Sequence, residues 1–255
     1  KPMTFDGVQF GLEYGITNTV GKISEIESIQ IIRQVITEGI EYIDTAAAYG
    51  QSEKVIGKAL RDGWSNRVKV ISKLLPFDDE ALKAPKDSSL PLRVRNSILQ
   101  SCVNLGVECI HTLMIRGAKH LKNNLVLSEL KLIREEGLIQ NIGVSVHSPE
   151  ELGFILRDID VSIIQIPYNI LDNRWDSMID EIKKARDDRG LVVHARSPLL
   201  KGLLCSDDDS KWVSAGIDNS SEIISWLNTE FQQHKKMSIS DLCIGYVNSQ
   251  DWIDS

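Results

Sequence analysis

Residues able to transfer a proton are concentrated in the segment Tyr42–Leu60 and in a second apolar run close behind it. In that segment a short apolar run ends in Asp44, and a turn carrying Tyr49 follows before a helix-like pattern begins. The second run, Val68–Leu74, has the composition of a buried strand and places Lys73 near its end. A cation beside a phenol lowers the phenol's pKa from an ordinary value of about 10. A phenol tuned in this way can protonate a carbonyl oxygen, so the set predicts acid catalysis at the strand ends.

These side chains need a scaffold that gathers several strand ends at one edge. Apolar runs rich in β-branched residues alternate with amphipathic stretches, which indicates buried parallel strands covered by helices. The predicted strands are Gly7–Phe10, Ile40–Ile43, Val68–Ile71, Thr112–Ile115, Ile139–Val144, Val161–Ile166 and Leu191–Ala195. The pattern predicts an α/β fold, a (β/α)8 TIM barrel with its working residues at the C-terminal mouth. We interpret residues 1–255 as a single barrel domain that lacks the eighth strand and final helix, and we expect both beyond Ser255.

Composition restricts the possible classes of partner. The formal net charge is -7 and no basic stripe occurs, which argues against nucleic-acid binding. No apolar run approaches the ~20 residues of a membrane helix, and the N-terminus carries no signal-peptide pattern, so no membrane partner is expected. The cysteines are scattered without metal-ligand spacing, which indicates reduced thiols in the cytoplasm and predicts no metal site. Oligomeric state is left open.

The segment Y-I-D-T-A-A-A-Y-G-Q-S-E-K-V-I-G-K-A-L resembles the aldo-keto reductase signature, D-T-A-x-x-Y-G-x-S-E followed by G-x-A-L, without a gap. Further stretches resemble the same family at Gln9–Gly15, Glu135–Ser145, Ile163–Asn169 and His194–Leu204. The resemblance implies a nicotinamide-dependent oxidoreductase that reduces a small-molecule carbonyl to an alcohol. NADPH is the expected cofactor, with NADH as the alternative. The bacterial-type variant is similar to reductases of surface-sugar pathways, which implies a sugar-like substrate. A mouth that carries Arg116 and Arg196 would suit an anionic one.

The resemblance also implies roles for individual residues. It assigns catalysis to Asp44, Tyr49, Lys73 and Arg116, and cofactor binding to Ser145, Gln165, Arg196, Ser197, Leu199 and Gly202. Ser145 and Gln165 would hydrogen-bond the nicotinamide carboxamide, and Arg196 stands where many members place an aromatic ring that stacks on the nicotinamide. The remaining residues would lie along the pyrophosphate, where backbone N–H groups matter more than side chains. The residues that would grip a 2′-phosphate belong to the segment expected beyond Ser255.

Arg116 departs from the family pattern, which normally ends this strand with His, as in L-x-x-H; this chain has L-M-I-R. Arginine is always charged and has no acceptor, so it can stabilise a developing alkoxide or grip an anionic substrate group. His147 shares a strand face with Ser145 and is a candidate substrate residue that partly replaces the lost imidazole.

Two other functions remain open at this stage. Because Arg116 stands at the usual His position, the protein could instead be a cofactor-binding sensor or subunit with weak catalysis or none. A Schiff-base enzyme with Lys73 as nucleophile is a further alternative, but it needs a lysine without a permanent carboxylate partner, and Asp44 argues against it.

Overall fold

A computed structural model of the chain describes residues 1–77, 89–157 and 160–255. Its sheet contains seven parallel strands whose spatial order follows the sequence order from β1 to β7. The strands are β1 Thr4–Asp6, β2 Tyr42–Asp44, β3 Lys69–Lys73, β4 Ile110–Arg116, β5 Ile139–Ser145, β6 Val161–Pro167 and β7 Val192–Arg196. Sequential parallel order with a helix between successive strands is the TIM-barrel arrangement that the sequence predicts, and the described residues form no eighth strand.

The helices cover the outside of the sheet. They are α1 Glu25–Thr37, α2 Ser52–Ala59, α3 Leu90–Leu105, α4 Ala118–Leu121, α5 Asn124–Glu135, α6 Pro149–Ile155, α7 Ile179–Arg189, α8 Asp209–Ser214, α9 Ser220–Gln233 and α10 Ile239–Ser249. Polar N-caps fix several of their starts; Ser24, for example, accepts a hydrogen bond from the Glu27 amide. Buried aliphatic side chains between sheet and helices form the main core, including Ile32, Ile98 and Ile133.

The first strand is not where the sequence pattern placed it. The predicted strand Gly7–Phe10 is wrong: Val8–Phe10 forms a short 3-10 helix, and β1 lies earlier, at Thr4–Asp6. The side chains of Val8 and Phe10 are both buried, so the apolar alternation that indicated a strand occurs here in a short helical turn. The shift brings Asp6 to the end of β1.

The last residues of the chain run alongside β7. The amide of Asp254 donates to the carbonyl of Val193 at 2.8 Å, and the amide of Ala195 donates to the carbonyl of Ser255 at 2.7 Å. On the other side, the Ser255 hydroxyl lies 2.7 Å from that of Thr4 in β1. Asp254 and Ser255 therefore occupy the space between the two edge strands.

Candidate active site

Three strand ends meet in a buried polar network centred on Asp44. Lys73 on β3 donates to Oδ1 of Asp44 and, at 3.1 Å, to the carbonyl of Thr45. From the far side of the barrel, Nε2 of Gln165 on β6 donates to Oδ2 of Asp44 at 2.7 Å. The side chains of Asp44, Lys73 and Gln165 are each no more than 5% exposed. Both carboxylate oxygens and the ammonium group are thus satisfied, which is the condition for burying such charges.

Tyr49 lies directly over this network. The ammonium nitrogen of Lys73 is 5.3 Å from the centroid of the Tyr49 ring, and the guanidinium carbon of Arg116 is 5.9 Å from it. The structure therefore brings Asp44, Tyr49 and Lys73 together at the C-terminal mouth, as predicted from their positions at strand ends.

The pKa of the Tyr49 phenol is raised, contrary to the expectation that neighbouring cations lower it. Burial of the ring is the largest cause, and the carboxylates of Asp44 and Asp6 add to it. Arg116 and Arg196 act in the opposite direction but do not outweigh these effects. Tyr49 consequently holds its proton at neutral pH.

The turn that carries Tyr49 is fixed by close backbone contacts. A Cβ atom at Gly11 would lie 1.6 Å from the carbonyl oxygen of Tyr49, so only glycine permits this approach. The Ser52 hydroxyl donates to the carbonyl of Gly7 at 2.7 Å and lies 2.8 Å from the Thr45 hydroxyl. These bonds tie the turn to both β1 and β2, which explains why serine and glycine recur around the phenol.

Asp6 is a site residue that sequence reasoning missed. It pairs in register with Asp44 on the neighbouring strand, so the two carboxylates stand side by side at the mouth. Its Oδ1 accepts from the Val8 amide at 2.9 Å, and its side chain stays open to the cavity. Crowding by protein and then the charge of Asp44 raise the pKa of Asp6 to about 6. The signal was present in the sequence, since Phe5-Asp6 ends an apolar stretch as Ile43-Asp44 does.

A cavity of about 500 Å³ opens beside Tyr49. Asp6, Asp44, Tyr49 and Lys73 line it together with Gln165, Arg196, Ser197, Leu199 and Gly202. Five of the six residues predicted to bind cofactor therefore surround one space. The sixth, Ser145, is buried and pairs in register with Arg116 and Gln165 but does not line this cavity.

The cavity has features that suit a nicotinamide cofactor. The side-chain oxygen Oε1 of Gln165 is buried and has no partner, although Nε2 of the same amide is engaged by Asp44. A buried acceptor without a donor is costly, and the NH₂ group of a carboxamide would satisfy it. In the loop after β7, non-glycine residues Ser197, Leu200 and Lys201 have positive φ angles of 63°, 49° and 58°. Strain of this kind concentrates where a backbone is shaped for a ligand.

Arg116, Arg196 and His147 form a second polar group beside Tyr49. Nη2 of Arg196 reaches across the end of β6 to Nδ1 of His147 at 3.0 Å and to the carbonyl of Val146 at 3.4 Å. Within residues 1–77, 89–157 and 160–255, neither guanidinium forms an ion pair, and both Nε atoms are buried without a partner. Partial desolvation of the imidazole and the positive charges of Arg196 and Arg116 lower the pKa of His147, and the carboxylate of Glu151 acts in the opposite direction. The group has unused donors and net positive charge.

The sequence profile described as "Aldo/keto reductase family" matches residues 7–252. The chain belongs to the aldo-keto reductase family. Aldo-keto reductase YhdN of Bacillus subtilis (strain 168) is 27% identical over 207 residues, 78% of this chain and 60% of that protein. The NADH-specific methylglyoxal reductase of Escherichia coli (strain K12) is 29% identical over 195 residues, 70% of this chain and 58% of that protein. The chain spans about 60% of the length of these curated relatives.

Solved aldo-keto reductase structures share the fold. The holo form of AKR11C1 from Bacillus halodurans superposes with a TM-score of 0.75 at 19% identity, covering 98% of this chain and 79% of that one. The glycerol dehydrogenase AKR11B4 from Gluconobacter oxydans gives a TM-score of 0.70 at 22% identity, covering 98% and 80%. Identities this low establish the barrel architecture alone.

No grouping of His, Cys, Asp and Glu side chains suited to a metal ion occurs in the part of the chain that the structure describes. Among those same residues, no helix has both the length and the apolar character needed to cross a membrane. Arg116, which the sequence resemblance assigns to the family's usual His position, has its guanidinium carbon 5.9 Å from the centroid of the Tyr49 ring, and the ammonium nitrogen of Lys73 lies 5.3 Å from the same centroid.

Proposed function

We propose that the protein is a nicotinamide-dependent oxidoreductase that reduces a carbonyl to an alcohol, acting as a single aldo-keto reductase barrel domain in the cytoplasm. The observation that carries the proposal is the position of Tyr49, which lies over the buried Asp44–Lys73 pair. That phenol borders a cavity whose wall holds the unpartnered amide oxygen of Gln165.

The proposed chemistry follows from the charges around the phenol. A nicotinamide cofactor, when bound, would supply the hydride that reduces the carbonyl carbon. Tyr49 donates its proton to the carbonyl oxygen, so the phenol O–H bond breaks as the alcohol O–H bond forms. Lys73 then stabilises the phenolate left behind, and Arg116 stabilises negative charge that develops on the oxygen. Asp44 and Gln165 hold the ammonium group in place below the ring.

The cofactor would be held by residues from three strand ends. Gln165 and Ser145 would bind the carboxamide, Arg196 would face the ring, and Ser197, Leu199 and Gly202 would lie along the pyrophosphate. The cavity lining supports every member of this set except Ser145, and the strained loop after β7 supports the pyrophosphate position. We propose NADPH as the cofactor, with NADH as the alternative; one curated relative is named as NADH-specific.

We further propose that the carbonyl substrate is anionic, of a sugar-like class. Arg116 and Arg196 present donors that are not used by any carboxylate in residues 1–77, 89–157 and 160–255. A guanidinium binds carboxylate or phosphate with paired hydrogen bonds, so an acidic group on the substrate would fit this position. His147, which holds the Arg196 guanidinium, would contact the same group.

A second candidate function is supported by one observation. Arg116 cannot act as a neutral hydrogen-bond donor in the way an imidazole can, and it adds a fixed charge beside Tyr49. A protein with this substitution could bind the cofactor as a sensor or subunit and turn over slowly or not at all.

One experiment separates the two. The protein is titrated with NADPH and NADH by cofactor fluorescence, and the bound complex is then mixed with neutral and acidic aldehydes while oxidation is followed. We expect binding and oxidation, with acidic aldehydes preferred. Tyr49→Phe should bind cofactor as the parent does but oxidise it roughly a hundredfold to ten-thousandfold more slowly. Cofactor binding without oxidation by any aldehyde would favour the sensor function. Equal oxidation rates in the parent and in Tyr49→Phe would show that Tyr49 is not the proton donor.

A further inference from the structure

Asp6 has no role in the chemistry proposed above, yet it lines the wall of the same cavity. Asp6 pairs in register with Asp44 and lines the same cavity as Tyr49. Its negative charge contributes to the raised pKa of the Tyr49 phenol. In residues 1–77, 89–157 and 160–255 it forms no ion pair; its one hydrogen bond comes from the Val8 amide. Its second oxygen is therefore available to the cavity.

The charges around the cavity fall into two groups. Asp44 and Lys73 neutralise each other in direct contact, so together they present little net charge to a ligand. Asp6 and Arg196 are opposite in sign, line the same cavity and are not paired with each other. Lys201 also lines the cavity and forms no ion pair within the described residues. A molecule in the cavity is thus exposed to uncompensated negative charge from Asp6 and to uncompensated positive charge from Arg196 and Lys201.

The orphaned amide oxygen of Gln165 indicates where a carboxamide would be fixed. Gln165 is 4% exposed and lines the cavity, and its other amide atom bonds Asp44 at 2.7 Å. Asp44 in turn is the strand neighbour of Asp6. A ring attached to that carboxamide would therefore lie in the part of the cavity that Asp6 faces.

We propose that Asp6 determines which redox state of the nicotinamide cofactor the protein binds more tightly, its carboxylate favouring the oxidised ring against the opposing charge of Arg196. This inference rests on the proposed function, since it requires the nicotinamide to occupy this cavity. The oxidised ring carries a positive charge and the reduced ring carries none, whereas the rest of the cofactor is the same. A fixed charge near the ring therefore changes the binding free energy of the oxidised cofactor and has little effect on that of the reduced cofactor. Only such a difference in binding can shift the equilibrium between the two redox states.

The test measures dissociation constants of both redox forms, for the NADP and NAD pairs, by fluorescence and calorimetry. Asp6→Asn removes the charge and keeps an oxygen to accept from the Val8 amide. At the effective dielectric of a protein surface, loss of one charge at this range is expected to raise the ratio of oxidised to reduced dissociation constants about tenfold. Arg196→Met, which removes the opposing charge, should lower the same ratio.

A matched control exists on the protein surface. Asp208 is exposed and accepts from the amide two residues ahead, Ser210, with the geometry that Asp6 uses toward Val8. Asp208→Asn should leave the ratio unchanged. Asp6→Ser, which also removes the charge and keeps an oxygen, replaces Asp6→Asn if that variant does not fold.

The outcomes distinguish this inference from the proposed function. An unchanged ratio in Asp6→Asn and Asp6→Ser, or equal weakening of both redox forms, would overturn the role of Asp6 while leaving carbonyl reduction intact. Failure of the parent protein to bind either form would overturn both. A raised ratio in the Asp6 variants with a lowered ratio in Arg196→Met would establish the pair as opposing charges on the ring.

Discussion

The two sides of the Tyr49 ring are built on opposite principles. Below the ring, Asp44, Lys73 and Gln165 satisfy almost every polar atom within the protein. Beside it, Arg116 and Arg196 keep buried donors without partners. A satisfied network holds its members in one geometry, whereas unsatisfied donors gain their partners from a ligand. One side of the ring is therefore fixed by bonds within the protein, whereas the other side keeps donors that the proposed anionic substrate would satisfy.

Substitution of Lys73, in the hydrogen-bonded network below the ring, should have the largest effect on stability and turnover. Lys73→Met leaves Asp44 buried without its cation, so we expect the free energy of unfolding to fall by about 3–5 kcal/mol, measured by chemical denaturation. Turnover should fall far more than cofactor affinity, because the proposed role of Lys73 is to support the phenol. Lys58→Met, which breaks the exposed ion pair with Glu25, is the control and should cost no more than about 1 kcal/mol. Equal losses of turnover and cofactor affinity would mark Lys73 as purely structural.

Substitution of Arg116, whose buried Nε has no hydrogen-bond partner, should change the rate of cofactor oxidation and leave the fold intact. Arg116→Ala removes a donor beside the reacting oxygen and should slow cofactor oxidation on the order of a hundredfold. Arg116→His should retain or raise the rate with simple aldehydes while weakening binding of acidic ones. Rate measurements with a neutral and an acidic aldehyde check both statements. Activity that appears only in Arg116→His would instead favour the sensor, and no change in either variant would make Arg116 a bystander.

The smallest expected effect is the change in stability on substitution of Asp6, which belongs neither to the Asp44–Lys73–Gln165 network nor to the arginine group. Its pKa is raised to about 6 in the folded protein, so between about pH 4 and 6 the folded state binds more protons than the unfolded state. Stability contributed by the protonated form is therefore lost as the pH rises through this window. Asp6→Asn should be more stable than the parent above pH 6, by on the order of 1 kcal/mol or less because solvent in the cavity screens the charge.

Denaturation of Asp6→Asn and its parent at about pH 4 and pH 8 tests this expectation, since the difference should vanish at the acidic end. An Asp6→Asn variant that is less stable at both values would show that the carboxylate stabilises the fold. Asp6 would then have to be regarded as part of the satisfied network.

Much of the site could be predicted from sequence because strand ends in a parallel barrel converge at one mouth. Asp44, Lys73 and Arg116 each follow a run of apolar residues, and that position alone indicates that they meet. The first strand was misplaced because Val8 and Phe10 alternate as strand residues do, and the error concealed Asp6. Periodicity cannot distinguish a short strand from one helical turn, since both can bury alternate side chains over three residues.

The sequence by itself determined the alternation of strands and helices, the barrel that follows from it, and the segment carrying Asp44 and Tyr49. These features are local, because apolar periodicity and turn residues act over a few positions. Only the tertiary structure decided the pKa of Tyr49, the contact between Gln165 and Asp44 across the barrel, and the reach of Arg196 to His147. These three features depend on burial and on contacts between residues that lie far apart in sequence. Burial and such contacts are defined only once the chain has folded around the site.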